Sequence, residues 1–192
     1  MKKLLAVGVA LALTATGSLV EKGWATSPEA RSDLQSVTVT VEEVAILGIV
    51  GSDPSFVVGA PTTGGDAFVI TETNADASYL QYSSIVNPGQ VRKVTASTTT
   101  NLPGGVILEV TPTTADGGKV GAVGTAAASK IIFEGTTAKN IVTGIGSGYT
   151  GTAPTDGVRL HYSLALTPES LVTTNLDGPA NITVTYTLSE GI

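Results

Sequence analysis

The sequence predicts an all-β fold, a single antiparallel β-sandwich preceded by a removable leader. Three observations carry this. Ser36-Val37-Thr38-Val39-Thr40-Val41 and Ile182-Thr183-Val184-Thr185-Tyr186-Thr187-Leu188 alternate apolar and polar side chains with a period of two, the spacing of a strand with one dry face. The 23 glycines and 9 prolines lie among many threonines, a composition suited to short strands and many turns rather than long helices. Turn signals recur about every 8 to 12 residues, the spacing that a two-layer sheet structure produces.

Composition narrows the function classes. At 192 residues with 42% apolar content, the chain fits one domain with a sizeable core. Ten basic against sixteen acidic residues give an acidic surface that gains little from a phosphate backbone, so nucleic acid is not an expected partner. Cysteine is absent, which removes disulfides, thiol catalysis and thiolate metal sites together. Stability is expected to come from sheet-on-sheet packing alone.

The amino terminus reads as an export signal. Lys2 and Lys3 precede the apolar run Leu4 to Leu13, short for a bilayer span and suited to a secretory leader. Small residues mark cleavage after Gly17 or after Ala25, and the second is preferred because Leu19 and Val20 extend the apolar region. The expected layout is a signal peptide over 1–25, a flexible polar segment over 26–35 and the sandwich over 36–192. The mature protein is expected to be secreted, in the periplasm, at the cell surface or outside the cell, without a stable membrane span.

Taken in order, the strands begin with Ser36 to Val41. Glu42-Glu43 then interrupts the alternation, and because two adjacent carboxylates do not lie comfortably on a core, a bulge or hinge is expected there. Strand character resumes over Val44 to Val50, and Gly51-Ser52-Asp53-Pro54 makes a turn into Phe56-Val57-Val58. Ala67 to Thr71 and Ser78 to Ser83 follow, with Tyr79 and Tyr82 on opposite faces. Val91 and Val94 require a bulge or an edge position to be buried together, and Arg92-Lys93 reads as a charged guard on an edge strand. Val106 to Val110 is a compact apolar strand. The Ala, Gly and Thr-rich stretch from Thr111 to Ser129 reads as an irregular loop or small flap. Lys130 to Glu134 and Asn140 to Thr143 are further strands. Gly157 to Leu166 is the longest clean alternation, with Val158, Leu160, Tyr162, Leu164 and Leu166 inward and Arg159, His161 and Ser163 outward. Thr167-Pro168-Glu169-Ser170-Leu171 allows one helical turn before the last strand.

No constellation reads as catalytic. Gly146-Ser147-Gly148-Tyr149-Thr150-Gly151 matches a dinucleotide-binding pattern, but a strand follows instead of the helix whose N-terminus holds a pyrophosphate. It reads as a sharply turning glycine loop. His161 is the one histidine; Ser163 lies on its face, but no nucleophile elbow or oxyanion loop accompanies them. Asp53, Asp66, Asp116 and Asp156 are loop carboxylates without the spacing of a calcium loop, and calcium binding stays open. The expectation is a protein that is not an enzyme and has no catalytic residue, cofactor or committed metal site.

In its leader, its amino-terminal alternation and its final strand, the chain resembles exported bacterial fimbrial (pilus) subunits and related secreted sandwich proteins. Many such subunits have a disulfide and a penultimate aromatic, neither of which is present here. The resemblance implies an Ig-like or fimbrial-type β-sandwich acting as a cell-surface structural protein. It further implies that Val37, Val39 and Val41 are the strand-exchange residues, donated to another copy or another surface subunit, with Glu42-Glu43 as hinge. The alternative is an extracellular carbohydrate- or protein-binding module that stacks a ligand on Tyr149, Tyr79 or Trp24.

Overall fold

A computed structural model describes residues 37–99, 102, 104–133, 136–167 and 181–191. The leader, the segment 26–35, Trp24 and the helical turn expected over 167–171 lie wholly or largely outside them. The chain divides into two units, Met1–Glu42 and Glu43–Ile192. In the first, the valine alternation is not a ladder strand: apart from an isolated bridge at Val37, no strand is present among the described residues up to Glu43. Val37, Val39 and Val41 are 57%, 63% and 71% exposed.

The second unit is all-β and antiparallel, with no helix among its described residues. Thirteen strands form three sheets among those residues. The largest is seven-stranded. At its centre β12 (Gly157–Leu166) lies between β4 (Ser78–Ile85) and β6 (Val106–Asp116). β1 (Val44–Gly51) pairs along the whole of β4, from Val44 opposite Ile85 to Gly51 opposite Ser78, and β9 (Ile131–Phe133) extends the sheet beyond β6. β7 (Val120–Gly121) and β11 (Gly148–Tyr149) add a short ribbon to β4 at Ser83 and Ser84. The second sheet runs β13 (Val184–Glu190), β5 (Arg92–Thr98), β10 (Lys139–Ile145), β8 (Thr125–Ala126). The third is a hairpin of β2 (Ser55–Gly59) and β3 (Val69–Thr73).

Both large sheets feed one hydrophobic cluster. The seven-stranded sheet supplies Leu80, Tyr82, Leu108, Val110, Phe133, Val158, Leu160 and Tyr162, and the four-stranded sheet supplies Val94, Ala96, Ala126, Ile141, Val142 and Ile145. The alternation on β4 and β12 orders this: on β4, Leu80 and Tyr82 are buried while Tyr79 and Gln81 are only partly so. In β10 the neighbours Ile141 and Val142 are both buried because the register against β5 shifts between Asn140 and Val142, as a bulge permits.

Two expectations are corrected. The stretch after Thr111 is not a flap: β6 continues to Asp116, β7 and β8 follow, and Ala115, Val123 and Ala126 are buried in the core. Small residues suit a place where backbones approach closely, so low apolar bulk there does not mean a loop. Arg92-Lys93 is not on an edge, since β5 lies between β13 and β10. The Arg92 guanidinium is instead paired with Glu43 at 3.4 Å, and the Asn87 amide donates to the same carboxylate at 2.6 Å. Glu43, the first residue of the second unit, thus fastens the entry to β1 onto the β4–β5 turn. Val91 is 37% exposed while Val94 is fully buried, so the two valines do not share the core.

Candidate functional site

The inward-facing pattern of the central strands is not buried along its whole length. Along β12, Val158 and Leu160 are 1% and 0% exposed, whereas Leu164 and Leu166 are half-buried. Along β6, Val110 is fully buried and Val106 is not. The uncovered ends face a cleft of about 630 Å³, walled by Val106, Leu108, Leu164, Ile182 and Val184, with Ile49 from β1 and Phe56 and Val58 from the hairpin. Its polar lining is Asp53, Ser55, Ser78, Tyr162, Asn181 and Tyr186. β13, which contributes Val184 and Tyr186, has β5 as its one strand neighbour among the described residues. A strand edge without a partner among the described residues, beside an apolar groove, is a ready site for an added strand.

Two phenols meet in this cleft. The Tyr162 and Tyr186 hydroxyls are 2.7 Å apart, and Tyr162 is 6% exposed. Burial raises both above the ordinary phenol value, Tyr186 the more strongly; at Tyr162 the hydrogen bond to Tyr186 opposes this and the Asp53 charge adds to it. Both therefore keep their protons at neutral pH. Tyr82, on β4, donates to the Val123 carbonyl at 2.5 Å, and burial pushes its phenol up to about 12.

The apolar surface is unevenly distributed. Within Glu43–Gly191 the large exposed apolar side chains are Ile46, Ile49, Val57, Val58, Phe68, Val69, Val91, Val120, Ile132 and Tyr149 among the described residues. The first six precede Ser78, and no described residue before Ser78 is buried. β1 and the β2–β3 hairpin therefore present apolar groups that the core, built from Ser78 onward, leaves uncovered.

The other candidates have structural partners. His161 Nδ1 lies 2.8 Å from Asp76, and the nearby Ser163 hydroxyl donates to Glu109 at 3.2 Å. Ser163 is thus held by a carboxylate on the neighbouring strand rather than by the imidazole. Glu109, 7% exposed on β6, also binds Lys130 at 2.7 Å; lying inside an apolar run, it has no signal in the sequence that singles it out. Asp156 accepts from the Gly118 and Ala153 N–H groups at 3.1 and 2.9 Å, and these bonds, Gly118 first, hold its carboxyl below its ordinary value. Among the described residues no group of three or more His, Asp or Glu side chains is gathered as metal ligands.

The glycine loop is a strand contact. Gly148 and Tyr149 pair with β7 and β4. From Tyr149 opposite Ser83 to Val158 opposite Leu80, nine steps of chain accompany three steps of β4, so 150–156 forms an excursion that Asp156 ties to the turn at Gly118. Among the described residues no helix is long and apolar enough to cross a membrane.

No family model, curated protein or solved structure matches this chain.

Proposed function

We propose that this protein is an exported surface structural subunit, a fimbrial-type β-sandwich that assembles by adding the Val37–Val41 segment of one copy to the open cleft of the next. The observation that carries this reading is the exposure of all three alternating valines, at 57% to 71%, on a chain whose second unit holds an apolar cleft beside a strand with one strand neighbour among the described residues. The donated segment is uncharged, and its valines match the aliphatic walls of Val106, Leu108, Leu164 and Val184.

Magnitudes set how strong such an assembly is. Full burial of a valine contributes roughly 1.5 to 3 kcal/mol, so three valines already about a third buried contribute about 3 to 6 kcal/mol together. Association costs about 4 to 15 kcal/mol in lost freedom. Side chains alone barely offset the low end of that range, and the backbone ladder to β13 supplies the remainder. Assembly should therefore depend strongly on concentration and on each valine.

The test is Val39→Asp, examined by size-exclusion chromatography and negative-stain microscopy. The unmodified chain is expected to form oligomers or fibres, and the variant to remain monomeric with an unchanged thermal midpoint. A chain that stays monomeric at high concentration, with its Val37–Val41 amides already protected from exchange, would refute the reading.

A second reading rests on Tyr79 and Tyr149. Tyr149 stands opposite Ser83 on β4, so it shares the outer face of the seven-stranded sheet with Tyr79, four residues away along the strand and about 13 Å by strand rise. Arg159 lies opposite Tyr79. Such a face suits stacking and hydrogen bonding to an extended glycan, and a glycan array without hits would remove it.

A further inference from the structure

We propose that the cleft selects its occupant through a polar contact: the Tyr162–Tyr186 hydroxyl pair reads one hydrogen-bond acceptor on an otherwise apolar extended segment, the Val37–Val41 segment of a second copy. This rests on the assembly reading above and adds a recognition element to it.

Each phenol carries one O–H, and the two oxygens, 2.7 Å apart, form one hydrogen bond between them. Whichever phenol donates, the other still has an O–H to give. Among the described residues neither hydroxyl has a further partner, and Tyr162 is only 6% exposed. Both phenols hold their protons at neutral pH, burial raising each above the ordinary phenol value, so the unspent donor persists. Tyr186 is only partly buried and the pair lines an open cleft, so solvent meets the spare O–H in the free protein; an occupant that expels this solvent must supply an acceptor in its place or lose a hydrogen bond on binding.

The lining says what kind of occupant this is. The walls around the pair are aliphatic, and Asp53 stands among the polar groups, which disfavours an anion. A purely hydrocarbon ligand would fill the walls and leave the O–H unmet. An extended segment of alternating valine and threonine meets both demands: Val37, Val39 and Val41 supply apolar bulk, while the backbone carbonyls and the Thr38 and Thr40 hydroxyls are acceptors.

The informative variant is Tyr162→Phe/Tyr186→Phe. Removing both hydroxyls leaves neither partner stranded and is nearly neutral for folding, whereas either single change leaves one O–H free to donate to the occupant. The receptor is the full chain bearing Val39→Asp, so that it does not polymerise, and the probe is a synthetic peptide of residues 30–43, followed by titration calorimetry. The double variant is expected to bind the peptide about five- to tenfold more weakly, and each single variant to lose less. A tyrosine absorbance red-shift when the peptide meets the unmutated cleft is a second readout that does not depend on the double variant folding. Equal affinity for the double variant and the unmutated cleft, or no tyrosine shift on binding, overturns the inference and leaves strand addition standing. No saturable peptide binding to either protein overturns both.

Discussion

Removing the Tyr82 hydroxyl should produce a stability difference that closes as the solution becomes alkaline. Tyr82 is 3% exposed and donates to the carbonyl of Val123, itself 8% exposed. At neutral pH Tyr82→Phe loses that bond and leaves a buried carbonyl without it, a loss of about 1 to 3 kcal/mol. The native phenol is pushed up to about 12 from its ordinary 10.0 by burial. Because the folded value is raised, this contribution is fully present below about pH 10. Between about pH 10 and 12 the unfolded chain releases the proton while the folded one keeps it, and about 3 kcal/mol is lost across the interval. The variant has no such group, so it loses none of this share. Tyr162 and Tyr186 are raised in the same direction and steepen both curves alike. Urea unfolding followed by circular dichroism, repeated from about pH 7 to about 12, should show the parent ahead at neutral pH and level with the variant or behind it at the alkaline end. Parallel curves across that range would refute the account of Tyr82, as would tyrosinate absorbance showing it ionised in the native protein near its ordinary value of 10.0.

Asp156→Asn should loosen the excursion 150–156, read as faster hydrogen exchange at Gly118 and Ala153, whose N–H groups its carboxylate accepts. The Asp156 carboxyl is held low by those bonds, so in the parent they persist at neutral pH and weaken only as pH falls through that lowered value; amide shifts of Gly118 and Ala153 that ignore acid would contradict this. Gly51→Ala should destabilise by about 1 to 3 kcal/mol or more in urea, because Gly51 has φ +112° and a Cβ there would fall on the Ala77 carbonyl; unchanged stability would be the contrary result. Lys130→Met should cost about 1 to 2 kcal/mol, less than the loss of a fully buried partner because the Lys130 side chain is 57% exposed. Equal midpoints would show that Ser163 and solvent suffice for Glu109.

Period-two alternation makes much of the second unit legible, and it fails where bulk and position diverge. β12 can be read as far as Tyr162, faces included, because Val158, Leu160 and Tyr162 alternate with Arg159 and His161 on a strand with a neighbour on each side; from Ser163 to Leu166 all four residues are half-buried. The stretch around Val120 to Ala126 cannot, since its buried side chains are small and its strands two residues long. Arg92-Lys93 misleads because charge ordinarily marks an edge, whereas β5 lies between β13 and β10 and Arg92 finds its counter-ion in Glu43, just before β1. The cleft has a partial signal: the apolar alternation of β12 runs to Leu166, but where the opposing sheet stops covering it is a long-range matter. The meeting of Tyr162 with Tyr186 has no signal at all beyond an inward tyrosine on each strand.

The uneven burial also bears on why strand addition suits this chain. Among the described residues the fully buried large side chains all come from Leu80 onward. The donor segment proposed above, Val37 to Val41, has no buried side chain, and a segment of that kind would exchange between copies without unfolding either partner, which keeps the barrier to such an assembly low. In the proposed assembly Glu43 would mark the hinge: bound to Asn87 and Arg92, it fixes the start of β1, and Val37 to Val41 lie outside any ladder strand. Replacing Glu43 with Gln keeps a hydrogen-bonding group for Asn87 and removes the charge that Arg92 faces. On this reasoning, assembly in Glu43→Gln should persist but with a broader spread of oligomer geometries by electron microscopy. Loss of assembly together with loss of the fold would mean that Glu43 holds the sheet and not the hinge.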